Sequence, residues 1–357
     1  MSKPISLAAV REAKQMGLTY LIDDGPGITR VRRGRKFRYL NPNGRPVSRA
    51  STLKRIGSLV IPPAWENVWV SPNPNGHLQA TGRDARGRKQ YRYHPDWRSS
   101  RDATKFHRML HFGASLSDIR KRTESDLRKQ GLSREKVIAT VVQLLELTLI
   151  RVGNEEYARE NKTYGLTTMK ARHVDIHGAT LRFHFRGKSG KEHDIDVKDR
   201  RLANIVQTCQ DLPGHELFHF FDEQKKKHII GSSDVNAYLQ EITEEDFTAK
   251  DFRTWAGTVL AVQALWACEE CTSKAESQKN VVQAVKQVAE KLGNTPAVCR
   301  KSYIHPVVID RYGKGALGRQ TTTLKRGRTG LSPDEQAVLK LLKKLVAEDT
   351  HKAKAAA

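Results

Sequence analysis

The chain of 357 residues is long enough for two domains and for a core that needs no staples. Its 63 Lys and Arg against 39 Asp and Glu leave a net charge of +24, a surplus that points to a polyanionic partner. With 38% apolar residues and no apolar run of about 18, a membrane span is excluded, and the opening MSKPISLAAVREAKQ has no signal-peptide core.

The charge is uneven. Residues 1–100 hold 19 basic and 6 acidic side chains, a surplus of 13 out of 24. This part opens with a short helix and a turn at Asp23-Asp24-Gly25-Pro26-Gly27. The basic run TRVRRGRKFRYLNPNGRPV follows, broken by Asn-Gly and Gly-Arg-Pro turn signals. LVIPPAWENVWVSP and HLQATGRDARGRKQYRYHP carry strand residues between prolines and glycines. The first ~95 residues are therefore expected to be mainly β.

Near Trp97 the pattern turns helical. FHRMLHFGASLSDIRKRTESDLRKQ and SREKVIATVVQLLELTLIRVGNEEYARENK hold helical periodicity with few breakers. HVDIHGATLRFHFRGKSGKEHDIDV interrupts it with about three strands and a tight turn at Gly187-Lys188-Ser189-Gly190. Helices resume from Asp199, and Gly293 ends SQKNVVQAVKQVAEKLG as a C-terminal cap. After Gly313 the chain is basic and turn-rich, then closes with SPDEQAVLKLLKKLVAED, which has a Ser N-cap and Pro at the first helical position. The fold class is α+β: a small basic mainly-β domain over 1–96, a mainly-α domain over 97–320 with a three-stranded β element, and a basic tail with an amphipathic helix over 321–357.

Several chemistries find no support. Gly82 to Lys89 lacks the Gly-Lys-Ser/Thr ending of a phosphate loop. No carboxylate cluster suggests a two-metal site. Cys209, Cys268, Cys271 and Cys299 are too scattered for a disulfide framework, so a reducing cytoplasm is expected. Cys268-Glu-Glu-Cys271 lacks further zinc ligands at a matching spacing.

What remains is a dispersed set of cations and one hydroxyl. Arg151 lies in LIRVGNEEY at the end of an apolar helical stretch, Lys188 tops a turn, Arg253 starts a helix in KDFRTWAGT, and Asn294 follows a helix end. Tyr303 sits in RKSYIHP. Each has a plainer use: a snorkelling arginine, a solvated lysine, a surface ion pair, a helix cap, a half-buried tyrosine. Together they meet one chemical need. Attack on a phosphodiester builds negative charge on two non-bridging oxygens, and two guanidiniums and an amide can hold it. A tyrosine hydroxyl can attack phosphorus, and a lysine can protonate the leaving oxygen.

RVGNEEYARENKTYGLTTMKARHV, FRGKSGKEH, KDFRTWAGT and GNTPAVCRKSYIHP, with GRKQYRYHP before them, resemble the type IB DNA topoisomerases, in particular their poxvirus-like and bacterial branch. The likeness runs in family order from about Ser51 to Tyr312. It implies Tyr303 as nucleophile, Arg151 and Arg253 as charge-holding arginines, Lys188 as general acid, Lys250 in support, and Asn294 as an oxyanion donor nine residues before the tyrosine. The poxvirus pattern has His where this chain has Asn294, so that group can only hydrogen-bond a phosphate oxygen. Gln90, Tyr91, Tyr93, Asn154 and Tyr157 match DNA-contacting positions; for the first three an alternating strand with an aromatic face packed inward remains open.

The resemblance further implies a monomer that clamps double-stranded DNA between two lobes in the nucleoid-bearing cytoplasm. It would nick one strand, keep the 3′ phosphate on tyrosine, allow rotation and reseal, with no nucleotide, other cofactor or metal. Tyrosine site-specific recombinases are the nearest alternative. They usually carry His-x-x-Arg where this chain has Lys250-Asp-Phe-Arg253, and a helical N-terminal domain. A non-catalytic DNA-binding protein would explain the charge but not the ordered motifs.

Overall fold

In the computed structural model, residues 7–34, 36–85, 87–268, 273–318 and 330–355 are described. The chain divides into two compact units, 1–105 and 106–357. The dividing point falls inside one long helix, and the composition change near Trp97 coincides with the start of that helix.

The first unit holds α1 (Leu7–Gln15), β1 (Ile28–Arg33), β2 (Lys36–Leu40), α2 (Ala50–Ser58), β3 (Glu66–Val70), β4 (Leu78–Arg83) and β5 (Lys89–Tyr93). The strands form one antiparallel sheet in the order β2-β1-β3-β4-β5. Ile28, Val68, Val70 and Ala80 meet Ile56 of α2 and Trp65 in a small core. The helix α2 lies in ASTLKRIGS, which the strand-and-turn reading of this region passed over. Gly82 and Arg83 end β4 and Lys89 starts β5, so no helix follows this segment as a phosphate loop requires.

α3 (Pro95–Leu127) leads into the second unit. There follow α4 (Arg134–Thr148), α5 (Glu155–Asn161), β6 (Val174–His177), β7 (Thr180–Arg186), β8 (Glu192–Lys198), α6 (Arg200–Asp211), β9 (His219–Phe221), β10 (Lys227–Ile229), α7 (Ser232–Thr243), α8 (Ala249–Trp266), α9 (Lys274–Leu292), α10 (Pro296–Ser302), α11 (Pro306–Gly313) and α12 (Pro333–Ala355). β6, β7 and β8 form an antiparallel meander, as the glycine punctuation implies. The short β9–β10 pair was not anticipated, because three-residue strands carry no periodic signal.

SREKVIATVVQLLELTLIRVGNEEYARENK, read as helical with few breakers, holds two helices. α4 ends at Thr148, Leu149 adopts the left-handed region at φ 56°, and α5 starts afresh with Asn154 as its cap. Apolar periodicity continues through Leu147-Thr148-Leu149-Ile150, so the break comes from tertiary bonds described below.

The core of the second unit is built on α4, whose Val137, Ile138, Val141, Leu144 and Leu145 are all buried. α12 is part of this core and not a loose tail. Val338, Leu341, Leu342 and Leu345 are buried, and Ser332 and Glu335 form the reciprocal N-terminal cap. Glu335 also takes a bidentate bond from Arg120, at 2.7 and 3.0 Å, and faces Trp255 Nε1 of α8 at 3.4 Å. Cys268 is described as a free thiol, whereas Cys271, the other half of its CxxC, lies outside the described residues.

Candidate active site

Four separate pieces of chain end at one cleft of about 410 Å³, which is lined by Arg151, Asn154, Tyr157, Lys188, Lys250, Arg253 and Tyr303 among others. Helix termini supply most of them. Arg151 follows the C-terminus of α4, and Lys250 and Arg253 lie in the first turns of α8. Asn294, after the C-terminus of α9, does not line the cleft and meets it through Arg151. Tyr303 ends α10. Lys188 comes from the β7–β8 turn.

Arg253 is 4% exposed and is held from two sides. One terminal nitrogen donates to the Leu149 carbonyl and the other to the Leu292 carbonyl at 2.6 Å. The first bond explains the end of α4: the carbonyl of its C-cap Leu149 turns to a guanidinium, and Thr148 Oγ1 accepts the Ile150 amide. The surface ion pair considered for Arg253 is therefore wrong. Its partners are carbonyls 104 and 39 residues away. Asp251, the nearby acid, instead caps α8 by accepting the Thr248 amide and pairs with Arg108 at 2.9 Å.

Arg151 donates to the Asn294 side-chain oxygen. The turn that carries it is fixed by the Leu166 and Thr167 amides, which donate to the Arg151 and Val152 carbonyls at 2.9 and 2.7 Å. Gly153, at φ 107°, permits this turn; a side chain there would also press on Thr168. Asn294 is locked by its own amide, which donates to the Ala289 carbonyl at 2.9 Å, and Gly293 takes the left-handed cap conformation expected from sequence. Asn294 thus orients Arg151.

Two donors here, Arg253 Nε and Asn294 Nδ2, are buried with no hydrogen-bond partner among the described residues. Leaving such groups unsatisfied costs about 1–3 kcal/mol each. A phosphate oxygen is an acceptor of the right charge for both.

Tyr303 lies beneath this group, its ring centroid 5.4 Å from the Arg253 guanidinium carbon. Thr258 Oγ1 donates to the Tyr303 carbonyl at 3.1 Å and accepts the His305 amide at 3.0 Å. A Cβ on Gly257 would come within 2.8 Å of that carbonyl, so α8 needs a glycine to let the tyrosine approach. An isolated glycine in a helical sequence is the signal that could have found this contact. Burial alone pushes the Tyr303 phenol up, but the charge and hydrogen bond of Arg253, then Arg151 and Lys250, hold it below its ordinary value. The two arginines repel each other, and burial with that repulsion lowers Arg151. Cys299, read from sequence only as a scattered thiol, is buried beside them; burial pushes its thiol up despite Asn294, Arg253 and Arg151.

The neighbours of Tyr303 also separate. Arg300 and Lys301 are exposed. His305 is buried and caps α11 by accepting the Val307 amide at 3.2 Å. Lys188 and Lys250 are exposed at the rim.

Residues 94–327 match the family described as eukaryotic DNA topoisomerase I, catalytic core, and residues 36–84 match the bacterial DNA topoisomerase IB N-terminal domain. DNA topoisomerase 1B of Acanthamoeba polyphaga mimivirus is 33% identical over 293 residues, 80% of this chain and 87% of the relative. The chain belongs to the type IB DNA topoisomerases. DNA topoisomerase 1B of Vaccinia virus (strain Copenhagen) is 24% identical over 233 residues, 64% of this topoisomerase and 70% of the relative. A solved chain, the XerH site-specific recombinase bound to difH substrate, aligns over 54% of this topoisomerase and 49% of its own length at 11% identity, with a TM-score of only 0.33.

The bacterial-type N-terminal unit of the topoisomerase presents its own candidate surface. Tyr91 and Tyr93 are 43% and 39% exposed, with rings stacked 6.0 Å apart on one face of β5. The inward-packed aromatic face considered for this strand is therefore not found. It is Arg92 that turns inward, lying over the Trp65 ring at 4.9 Å. Gln90 Nε2 donates to Asp84 at 2.9 Å. In the second unit, Asn154 and Tyr157 are exposed, and Asn154 caps α5 by accepting the Tyr157 amide at 3.0 Å. Among the described residues no helix is long and apolar enough to cross a membrane, and no group of three His, Cys, Asp or Glu could hold a metal ion.

Proposed function

We propose that this topoisomerase relaxes supercoiled double-stranded DNA through Tyr303. The tyrosine Oη attacks a backbone phosphorus, the bond from phosphorus to the 5′ oxygen breaks, and a 3′-phosphotyrosyl bond forms. The phenol gives its proton to solvent, and Lys188 gives one to the leaving 5′ oxygen. Arg151, Arg253 and Asn294 hold the two non-bridging oxygens as their charge grows, and Lys250 adds positive potential at the rim. The free end rotates, and the reverse attack by the 5′ oxygen releases Tyr303. The strand's bond energy stays in the phosphotyrosine, so the cycle needs no nucleotide, and the guanidiniums carry the charge without a metal.

The observation that carries this reading is the half-buried Tyr303 ring against the Arg253 guanidinium, its phenol held below its ordinary pKa, beside two buried donors that lack acceptors among the described residues. Gln90, Tyr91, Tyr93, Asn154 and Tyr157 contact DNA in this reading, and most affinity comes from phosphate contacts, so binding weakens steeply with salt. The enzyme acts as a monomer, in the nucleoid-bearing cytoplasm.

Plasmid relaxation in EDTA without ATP is the test. The wild type relaxes the plasmid and forms a covalent adduct; Tyr303→Phe binds DNA but does neither. Relaxation by Tyr303→Phe would overturn the assignment, and recombination of paired sites with supercoils left intact would favour a recombinase.

A further inference from the structure

One imidazole in the second unit touches both the Lys188 turn and the Asn294 loop. His193, near the start of β8, pairs across the sheet with Phe185, and the two rings stack at 4.9 Å and 10°. Stacking turns the flat ring edge-on to two glycines. A Cβ on Gly187 would lie 2.6 Å from His193 Cδ2 and Nε2, and one on Gly293 would lie 2.8 Å from Cε1. These glycines immediately precede Lys188 and Asn294. The ring therefore fills a slot that exists because both residues lack side chains. Arg151, Lys188, Arg253 and Leu292 line the same small cavity.

The two walls of the slot differ in firmness. Gly293 belongs to a fixed helix end: its amide bonds the Glu290 carbonyl at 3.1 Å, and Arg253 grips the adjacent Leu292 carbonyl. The Lys188 turn is exposed at Lys188 and Ser189, and its backbone bonds run from Gly187 to Lys191 at 2.7 Å and from Gly190 to Gly187 at 3.0 Å. Its Ser189 and Gly190 both have positive φ, which sets the turn's shape locally.

We propose that His193 is a positioning residue that braces the Lys188 turn against the capped end of α9, and so sets how far the proton donor stands from the arginine-held phosphate. This rests on the role given to Lys188 above. The brace works as a neutral ring. Burial, then Arg151, Lys191 and Arg253, hold the imidazole below its ordinary pKa, with only Glu192 opposing. A charged ring here would add a third cation beside the two buried arginines.

The test is single-turnover cleavage of a short duplex with either the native 5′ oxygen or sulfur at the scissile position. Sulfur leaves as a weakly basic thiolate and needs no proton donor. His193→Ala is expected to slow native cleavage about 10- to 100-fold, the scale of a misplaced catalytic group. It should cleave the sulfur substrate at close to the wild-type rate, as Lys188→Ala should. If Lys188→Ala is not rescued by sulfur, the acid assignment falls, whatever His193 does. If Lys188→Ala is rescued and His193→Ala stays slow on both substrates, or if His193→Ala cleaves native DNA at the wild-type rate, the brace is refuted.

Gly187→Ala gives an independent reading should His193→Ala fold poorly. The backbone at Gly187, φ −93° and ψ −168°, accepts any residue, so the added methyl acts only by pushing on the ring. This variant should show the same sulfur-rescued defect. Gly187→Ala/His193→Ala should be less impaired than the two defects multiplied, because the ring that clashes is gone. Strict multiplication would refute the contact.

Discussion

The arginine floor and the lysine turn of this active site are built in opposite ways. Arg253 and Arg151 are buried or half-buried, and each is tied to protein oxygens: Leu149, Leu292 and Asn294. Lys188 sits exposed on a three-residue turn between two strands. The difference fits the tasks proposed for them. Charge stabilisation is strongest where donors are fixed and water is excluded, since no reorganisation is then needed. A proton donor must instead reach a leaving oxygen and be reprotonated from solvent, which favours an exposed side chain on a placed turn.

The sharpest test of this contrast is to truncate one member of each set. Arg253→Ala should slow cleavage about 10²–10³-fold. It should also lower stability by about 1–3 kcal/mol, because the Leu149 and Leu292 carbonyls lose their donor. Lys188→Ala should slow cleavage by about 10²-fold while leaving the urea midpoint unchanged. Equal stability losses in the two variants would dissolve the distinction.

Gly257→Ala probes the floor without touching a charge. The new methyl would meet the Tyr303 carbonyl and Cβ at 2.8 and 3.0 Å and push the nucleophile off its place. Cleavage should fall about 10- to 100-fold with DNA affinity kept. Full activity would mean that the tyrosine's placement tolerates more slack than the burial implies.

The mildest test reads the field of the floor directly. Tyr303 is held below the ordinary phenol value near ~10. Its ionised form therefore appears at lower pH than in the unfolded chain. The stability this contributes is present above the unfolded value and lost as pH falls through the folded one. Tyrosinate absorbance of the DNA-free enzyme, minus that of Tyr303→Phe, should titrate below ~10. A difference that titrates at or above ~10 would show that burial outweighs the arginines.

Much of this design was legible in the chain. The Gly187–Gly190 turn, the Gly293 cap and the Ser332 cap are local decisions, made by residues within four positions of each other. The ordered motifs around Arg151, Lys188, Arg253, Asn294 and Tyr303 were legible because each needs a particular residue type. The break after α4 was not. The sequence ends the helical stretch near Arg151; that it stops at Thr148 is decided by the Arg253 bond to the Leu149 carbonyl and the Thr148 bond to the Ile150 amide.

By itself, then, the sequence determined the basic polyanion-binding character, the β-then-α order, the helix caps, and the set of side chains able to hold a phosphate. These depend on charge, periodicity and backbone preference, which act over a few residues. Tertiary structure alone decided that Arg253 is anchored by two distant carbonyls and that Asn294 steadies Arg151. It also decided that His305 caps a helix and does not join the cleft, and that His193 lies between two glycines. Each of those contacts joins residues brought together only when the core closes, and a one-dimensional pattern carries no record of which groups closure makes neighbours.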